Sequence, residues 1–384
     1  MDTFCQEACR DTADESLGDR ADVGVGSGRI CIRDKLPRTL NAWRLPPLQE
    51  HEHIAVVAEA VWKPLYPFFH EHGYIFWKHE MGCVLSPDTH EDFLAQYSNG
   101  FAYATQSRGL GPASGSVNDL FLFENLNPLC RAARNKAGLD VVVRVLNIGG
   151  HGREHVEILK VVSMGLNVFY NDNHAIPVFD LLDFEDITFG VFPKVGARVW
   201  EAYRYWAENS VGDIVDMILQ CLEALAFIHS LGIAHRDAFK DNFLVQWQPE
   251  SLKTGRAPRS RPRVYLTDFE VAIMFPEETP LEECLVEGYP LGGSLTDDIK
   301  QYARPIPSEV SAGIRYDPFK LDVWQLGKSL DDFNSTISEI DNILARMRRA
   351  DATSRFSSFD ALEHLSRAVS RLTPESLMIA PVIV

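Results

Sequence analysis

The sequence has no long apolar segment, and this absence argues against a membrane-spanning protein. No run of apolar residues reaches the roughly 18 that a membrane-spanning helix needs, and the first twenty residues lack the apolar core of a signal peptide. We therefore expect no membrane partner and an intracellular location, in the cytoplasm or the nucleus.

The chain also lacks paired cysteine motifs. Its seven cysteines are odd in number and widely spaced, and none of them forms a C-x-x-C pair. Disulfide frameworks usually have an even number of cysteines, and zinc sites use closely spaced pairs of ligands. The pattern therefore predicts reduced thiols in an intracellular protein.

Basic residues are in deficit. The sequence has 54 Asp and Glu against 37 Lys and Arg, a net charge of −17. Nucleic acid would be repelled by this charge, so we expect no nucleic-acid partner. The proline-containing segment Gln248–Arg263 is locally basic. A solvated loop is the favoured interpretation of it, while docking of an acidic partner or nuclear import stays open.

The N-terminal part changes composition near residue 45. Residues 1–44 are polar, acidic and non-periodic, which predicts a disordered tail. Beyond them, Ile54–Trp62 has a helical pattern, and an aromatic-rich stretch follows that ends in GYIFW at residues 73–77. We interpret 45–100 as a helical and aromatic extension that packs on the domain after it.

The most informative stretch is Ile233–Trp247, IAHRDAFKDNFLVQW, because it places polar side chains between two apolar elements. The preceding segment is amphipathic over many turns, and Ser210 to Asp213 at its start has the pattern of a helix capping box. Phe243–Val245 predicts a short buried strand. Asn242 follows Asp237 by five positions, which matches the H-R-D-x-x-x-x-N pattern of a kinase catalytic loop.

Further motifs follow in a consistent order. A predicted strand ends in Asp268-Phe-Glu270, similar to D-F-G, and Phe275–Ile306 has the length and irregularity of an activation segment. Pro307-Ser-Glu309 stands where A-P-E is expected, and Asp322 begins DVWQLG. Together these motifs resemble the protein-kinase-like superfamily, in a divergent form of the kind found in fungi.

The resemblance implies an α+β fold with two lobes. Residues 101–193 would form a small, β-rich N-lobe, and 194–384 a large, mainly helical C-lobe. It also implies catalytic roles. Asp237 would accept the substrate hydroxyl proton, and Lys240 would neutralise the transferred phosphoryl group, although Ser/Thr kinases carry that lysine one position earlier, at Phe239 here.

Metal and structural roles are implied in the same way. Asn242 and Asp268 would hold Mg²⁺, with Mn²⁺ as the alternative ion. Asp322 would fix the backbone of the loop that carries Asp237, and Arg355 would pair with Glu309. The residues with implied structural roles are His235, Arg236, Glu309, Asp322 and Arg355.

The ATP site is implied by a predicted strand hairpin that turns at Lys136-Ala-Gly138. Its second strand carries VVVR, so that Arg144 replaces the phosphate-binding lysine of V-A-I-K and Val142 replaces its alanine, where it would crowd an adenine. Phe192 stands at the expected hinge between the lobes. Arg153–Val162 has helical spacing and would supply the acidic partner of Arg144. Glu154 and Glu157 are the candidates, although direct alignment with the kinase helix places His155 at the position of the acidic partner.

Several positions depart from the kinase pattern. The stretch Leu120–Pro128 contains no glycine where a phosphate-covering loop is expected, and Gly109, Gly111 and Gly115 come too early. Glu270 adds a carboxylate beside the expected Mg²⁺ ligand Asp268.

The sequence thus predicts an ATP- and Mg²⁺-dependent phosphotransferase acting on protein Ser or Thr. The alternative is a pseudokinase that serves as a scaffold or allosteric module for a protein partner. The oligomeric state is not indicated.

Overall fold

The computed structural model describes residues 32–45, 54–81, 84–86, 123–124, 128–195, 198–199, 209–246, 262–295 and 302–384. In these ranges the strands are β1 Tyr74–Phe76, β2 Lys78–Met81, β3 Val84–Ser86, β4 Phe123–Glu124, β5 Cys130–Asn135, β6 Asp140–Ile148, β7 Asp180–Phe184, β8 Ile187–Pro193, β9 Ile233–Ala234, β10 Phe243–Gln246, β11 Arg263–Leu266, β12 Ile273–Met274, β13 Phe333–Asn334 and β14 Val382–Ile383. The helices are α1 Leu40–Arg44, α2 Ile54–Trp62, α3 Tyr66–Glu71, α4 Arg153–Val162, α5 Val211–Ser230, α6 Ser308–Ser311, α7 Pro318–Ser329, α8 Ser338–Met347, α9 Ser358–Ser370 and α10 Pro374–Leu377. None of these helices is long and apolar enough to cross a membrane.

Five antiparallel strands form one sheet, in the order β1-β5-β6-β8-β7. The hairpin predicted around Lys136-Ala-Gly138 is confirmed as β5 and β6. Helix α4 packs on β6, and Leu146 and Leu159 share one core. The helix begins after Gly152, whose φ is 99° and whose added Cβ would lie 2.1 Å from the Leu146 carbonyl oxygen. Only glycine fits there, so it fixes the approach of α4 to the sheet.

The edge strand β1 comes from the aromatic stretch that we interpreted as an extension. Its residues pair with the end of β5, from Tyr74 opposite Asn135 to Phe76 opposite Ala133. This part of 45–100 therefore completes the sheet. Residues 77–129 separate the two neighbouring strands along the chain, and their described parts include a small sheet of order β2-β3-β4. Gly109, Gly111 and Gly115 fall in this segment, outside the described residues.

The end of the predicted tail is ordered, unlike our expectation for residues 1–44. Leu36, Leu40 and Trp43 are buried in the same core as Trp62. The rings of Trp43 and Trp62 meet edge to face at a centroid distance of 5.5 Å. The three apolar residues have the spacing i, i+4, i+7 of one helical face, which the surrounding polar composition concealed. Residues 1–31 lie outside the described ranges.

The long helix α5 leads into the polar loop. The predicted capping box is confirmed, since the Asp213 amide donates to Ser210 Oγ at 3.2 Å and the Ser210 amide donates to Asp213 Oδ2 at 2.9 Å. The buried face of α5 packs against α7 and α9. Its C-terminal end therefore holds β9, and the polar loop begins directly after that strand.

The observed elements agree with most of the local predictions. The predicted helices Ile54–Trp62 and Arg153–Val162 are confirmed as α2 and α4 with the expected bounds, and the buried strand after the loop is β10. The molecule is a mixture of α and β structure that is compatible with a kinase-like fold. The basic segment Gln248–Arg263 lies outside the described residues except for its last two positions.

Candidate functional site

The residues His235–Asn242, called the HRD loop below, are held by Asp322 of α7. Asp322 is fully buried and accepts hydrogen bonds from the backbone amides of His235, at 2.7 Å, and Arg236, at 2.6 Å. Its Oδ2 also lies 2.9 Å from Nε2 of His229. Arg236 has a φ of 65°, which is unfavourable for a non-glycine residue. The bonds to Asp322 thus stabilise the loop in a strained conformation, the role that the kinase resemblance implies for Asp322.

Asp237 is oriented by Asn242, another residue of the HRD loop. The Asn242 amide nitrogen lies 2.7 Å from both Oδ2 and the backbone oxygen of Asp237. The other carboxylate oxygen, Oδ1, is buried and accepts no hydrogen bond from the described residues. Burial raises the pKa of Asp237 to about 7, with the charge of Arg304 opposing that increase. One carboxylate oxygen is therefore fixed by hydrogen bonds, while the other has capacity to accept a hydrogen bond from a ligand.

Asp268 and Glu270, in the turn Asp268–Glu270 called the DFE turn below, both pair with Arg144 of β6. Arg144 Nη2 lies 2.7 Å from Asp268 Oδ1 and 3.1 Å from Glu270 Oε2. Burial favours a higher pKa for Asp268, but the nearby Arg144 outweighs it and leaves the pKa below its usual value. Asp268 has a φ of 67°, a second strained position close to the HRD loop.

Glu270 is the centre of a network that reaches the N-terminal helix. Its Oε1 lies 3.1 Å from Arg44 Nη1 of α1, and its Oε2 accepts a hydrogen bond from Ser294 Oγ at 2.7 Å. Arg44 also donates to Ser294 Oγ at 2.9 Å. Burial and the adjacent charge of Asp268 raise the pKa of Glu270, opposed by Arg144 and Arg44. The extra carboxylate therefore ties together α1, β6 and the segment after the DFE turn.

The structure does not give Arg144 a glutamate partner from α4. Glu154 is exposed, and the exposed Glu157 pairs with Lys160 at 2.9 Å. His155 is the buried side chain of that turn. Burial and the charge of Arg144 lower the pKa of His155 to about 3, so that the imidazole is neutral at pH 7. A neutral imidazole has no negative charge with which to pair Arg144, and the ion pairs of Arg144 are those with Asp268 and Glu270.

Lys240 contacts a carboxylate other than Asp237. Its Nζ lies 2.6 Å and 2.5 Å from the two carboxylate oxygens of Asp332, after α7. The side chains of the pair are 12% and 19% exposed. Lys240 thus forms a largely buried ion pair, which differs from the catalytic position that the resemblance implied for it.

Among the described residues, Arg304 forms an ion pair with Asp237. Its Nε lies 3.4 Å from Asp237 Oδ1, and its Nη1 lies 2.7 Å from Asp241 Oδ2. The guanidinium stacks over the ring of Phe239 at 4.9 Å from the centroid. Arg304 is not among the residues that the sequence motifs indicate. The sequence does not single out Arg304, because it lies 67 residues from Asp237 along the chain and belongs to none of the quoted motifs.

The remaining predicted residues lie at the edges of the site. Val142 of β6 is opposite Phe192 of β8, so the residue expected to crowd an adenine and the residue expected at the hinge are neighbours across the sheet. Arg355 Nη1 lies 2.8 Å from Glu309 Oε1, and the Arg355 side chain is fully buried. That ion pair joins α6 to the loop before α9, and it is the pairing that the resemblance implies.

Two curated proteins share part of this sequence. Over 210 residues the chain is 25% identical to the serine/threonine-protein kinase PAK mbt of Drosophila melanogaster, a match that covers 52% of this chain and 26% of the relative. Over 108 residues it is 34% identical to the serine/threonine-protein kinase ppk8 of Schizosaccharomyces pombe, covering 28% of this chain and 17% of the relative.

The chain is similar in part to serine/threonine protein kinases. It spans about a quarter of the first relative and about a sixth of the second. No family model matches the chain. The similarity therefore suggests a kinase-like relationship.

Proposed function

We propose that this protein is a protein-kinase-type phosphotransferase that uses ATP and Mg²⁺ to phosphorylate Ser or Thr in a protein. The observation that carries the proposal is Asp237, because one of its oxygens is fixed by Asn242 while Oδ1 is buried without a hydrogen bond from the described residues. A base that accepts a hydroxyl proton needs this combination of orientation and free acceptor capacity. The partial similarity to Ser/Thr kinases supports the same activity.

The donors beside Asp237 suit a magnesium ion that arrives with its nucleotide. The described residues contain no group of three or more His, Cys, Asp or Glu side chains able to hold a metal ion. Mg²⁺ in kinases is held by one or two protein oxygens together with substrate phosphates. Asp268 would supply a carboxylate and Asn242 an amide oxygen. When bound, the ion would neutralise phosphate charge during transfer.

Arg144 is the residue we assign to the α- and β-phosphates of ATP. In the structure its guanidinium is held by Asp268 and Glu270 at 2.7 Å and 3.1 Å. A nucleotide would therefore have to compete with these two carboxylates. Val142 and Phe192, opposite each other in β6 and β8, would contact the adenine.

The same ion pairs favour a second candidate, a pseudokinase that serves as a scaffold or allosteric module for a protein partner. With Arg144 engaged by both acidic residues of the DFE turn, its positive charge is compensated within the protein. The glycine-free stretch Leu120–Pro128 points in the same direction. In this case the Arg144 network would maintain a binding surface and would not bind phosphate.

Radiolabelled ATP with Mg²⁺ or Mn²⁺ and a generic protein acceptor distinguishes the two candidates. We expect transfer by the wild type and none by Asp237→Asn, which keeps nucleotide binding because its side chain is similar in size. Asp268→Asn should weaken the Mg²⁺-dependent thermal stabilisation by ATP. Absence of transfer, together with no shift in melting temperature by Mg·ATP, would support the pseudokinase. Transfer that survives Asp237→Asn would remove this residue from the mechanism.

A further inference from the structure

Phosphoryl transfer needs a cation close to the catalytic base, because the transferred group carries negative charge and passes next to that base. The HRD loop does not supply this cation at the expected positions. Lys240 is bound by both carboxylate oxygens of Asp332, at 2.6 Å and 2.5 Å. Phe239, one position earlier, has no charge. The cation has to come from another part of the chain.

Arg304 lies at the required position. Its Nε is 3.4 Å from Asp237 Oδ1, the oxygen that accepts no hydrogen bond from the described residues. Asp241 holds the Nη1 end at 2.7 Å, and Phe239 supports the guanidinium plane at 4.9 Å. Asp241 and Phe239 of the HRD loop therefore hold the guanidinium beside the base. Stacking and ion pairing together restrict its orientation.

The guanidinium is still accessible to a substrate. The side chain of Arg304 is 35% exposed and that of Asp237 is 21% exposed. A guanidinium carries five N–H donors, so contacts with two carboxylates leave donors for phosphate oxygens. Arg304 can thus contact the transferred group without losing its hold on Asp241.

We propose that Arg304 is a catalytic residue that neutralises the transferring phosphoryl group and replaces the lysine that Phe239 has displaced. This rests on the proposed phosphotransferase function. In the reaction the bond between the γ-phosphorus of ATP and its bridging oxygen breaks. A bond forms between that phosphorus and the substrate hydroxyl oxygen, the hydroxyl proton passes to Asp237, and ADP leaves. Arg304 donates to the non-bridging oxygens throughout.

The test compares Arg304→Ala, Arg304→Lys and Arg315→Ala in steady-state transfer to a protein acceptor. Arg315 is a matched control, since it is an exposed arginine of the same region. Loss of one donor to the transition state typically lowers kcat by about 100-fold, and we expect this for Arg304→Ala with the KM for ATP changed less than about threefold. Arg304→Lys should recover part of kcat, and Arg315→Ala should match the wild type. Melting temperatures of all variants report whether they fold.

A second measurement separates this inference from the proposed function. Aluminium fluoride with Mg·ADP imitates the planar phosphoryl group, and we expect it to tighten ADP binding to the wild type and to Arg315→Ala, but not to Arg304→Ala. If the wild type transfers no phosphate yet shows this difference, the phosphotransferase proposal fails and the phosphoryl-binding role of Arg304 stands. An unchanged kcat in Arg304→Ala would overturn the inference, and so would a raised kcat, which would make Arg304 a cover over Asp237. For an inactive wild type, equal aluminium fluoride effects in all variants would overturn it as well.

Discussion

Arg44 of the N-terminal helix α1 lies 3.1 Å from Glu270, two residues after the proposed metal ligand Asp268. The contact joins parts of the chain that are 226 residues apart. A helix at the start of the described chain thus helps to set the position of the DFE turn. Ser294, which contacts both side chains, extends this link into the segment after the turn.

Replacing Arg44 with alanine should destabilise the protein. The change removes a cation from Glu270, whose side chain is 10% exposed, and leaves the Ser294 hydroxyl without one of its two hydrogen bonds. We expect a loss of about 1–3 kcal/mol in the free energy of unfolding, measured by urea titration. Arg38→Ala is the control, because Arg38 and its partner Asp34 are 71% and 55% exposed. Equal losses in both variants would show that the Arg44 contact contributes nothing specific.

Replacing Glu270 with glutamine should strengthen nucleotide binding if the site binds Mg·ATP. Glu270 places a negative charge next to the expected phosphates and competes with them for Arg144. Removing one such charge is worth about 1 kcal/mol or more, which is a tightening of at least about fivefold. Calorimetric titration with Mg·ATP measures it, with the exposed Glu283→Gln as the control. Unchanged or weaker binding in Glu270→Gln would contradict the proposed competition.

Asp322→Ala should lower the free energy of unfolding more than substitution of an exposed residue does. Two backbone amides and His229 would each lose a buried acceptor. Loss of one partner in a buried charged network costs about 3–5 kcal/mol, and urea unfolding measures the change. The exposed Asp360, which caps α9 through Ser357, is the comparison, and its replacement by alanine should cost about 1 kcal/mol. A cost for Asp322→Ala no larger than this would mean that the loop holds its conformation without Asp322.

Lys194→Met should stabilise the protein at neutral pH. Lys194 follows β8, and its buried Nζ donates no hydrogen bond to the described residues. The Nζ lies 4.8 Å from the centre of the Trp77 ring. Burial lowers the pKa of Lys194 from 10.5 to about 7, and the nearby Asp140 only partly opposes this effect. Lowering a pKa by one corresponds to about 1.4 kcal/mol, so the buried amine costs several kcal/mol where the unfolded chain is fully protonated.

Lys194 should also make the free energy of unfolding depend on pH. Between pH 7 and 10.5 the unfolded chain binds more protons at Lys194 than the folded chain does, so this group makes the free energy of unfolding rise with pH. Urea unfolding of wild type and Lys194→Met at pH 7 and pH 9.5 should show an advantage of the variant that shrinks at the higher pH. The exposed Lys160→Met is the control. A constant difference between the two pH values would mean that Lys194 is charged when folded.

Local spacing predicted much of the site. The HRD and DFE positions, the strand that carries Arg144 and the capping box of α5 are each encoded within a few neighbouring residues. Hydrophobic periodicity and capping residues act over one or two turns of chain, so a single sequence suffices to find them. The contacts of Asp322 with the HRD loop also follow the pattern that its motif implies.

The ion pairs of the site were harder to predict. Glu154 and Glu157 were reasonable partners for Arg144 by helical spacing, but the rotation of α4 buries His155 and leaves both glutamates exposed. Lys240 pairs with Asp332, and Arg304 with Asp237, although each pair is far apart in sequence. Which of several charged side chains meet depends on the angle and depth at which elements pack, and no short pattern encodes this.

A long connection joins the paired strands β1 and β5. The two strands are hydrogen-bonded neighbours, yet residues 77–129 separate them. The entropy of closing a loop grows only with the logarithm of its length, so a doubling costs about 0.6 kcal/mol. Relative to a short hairpin connection, a segment of this length costs about 2 kcal/mol in closure entropy. The strand pairing therefore constrains the size of this segment weakly, and relatives of this protein can differ greatly in length there while keeping the same five-stranded sheet.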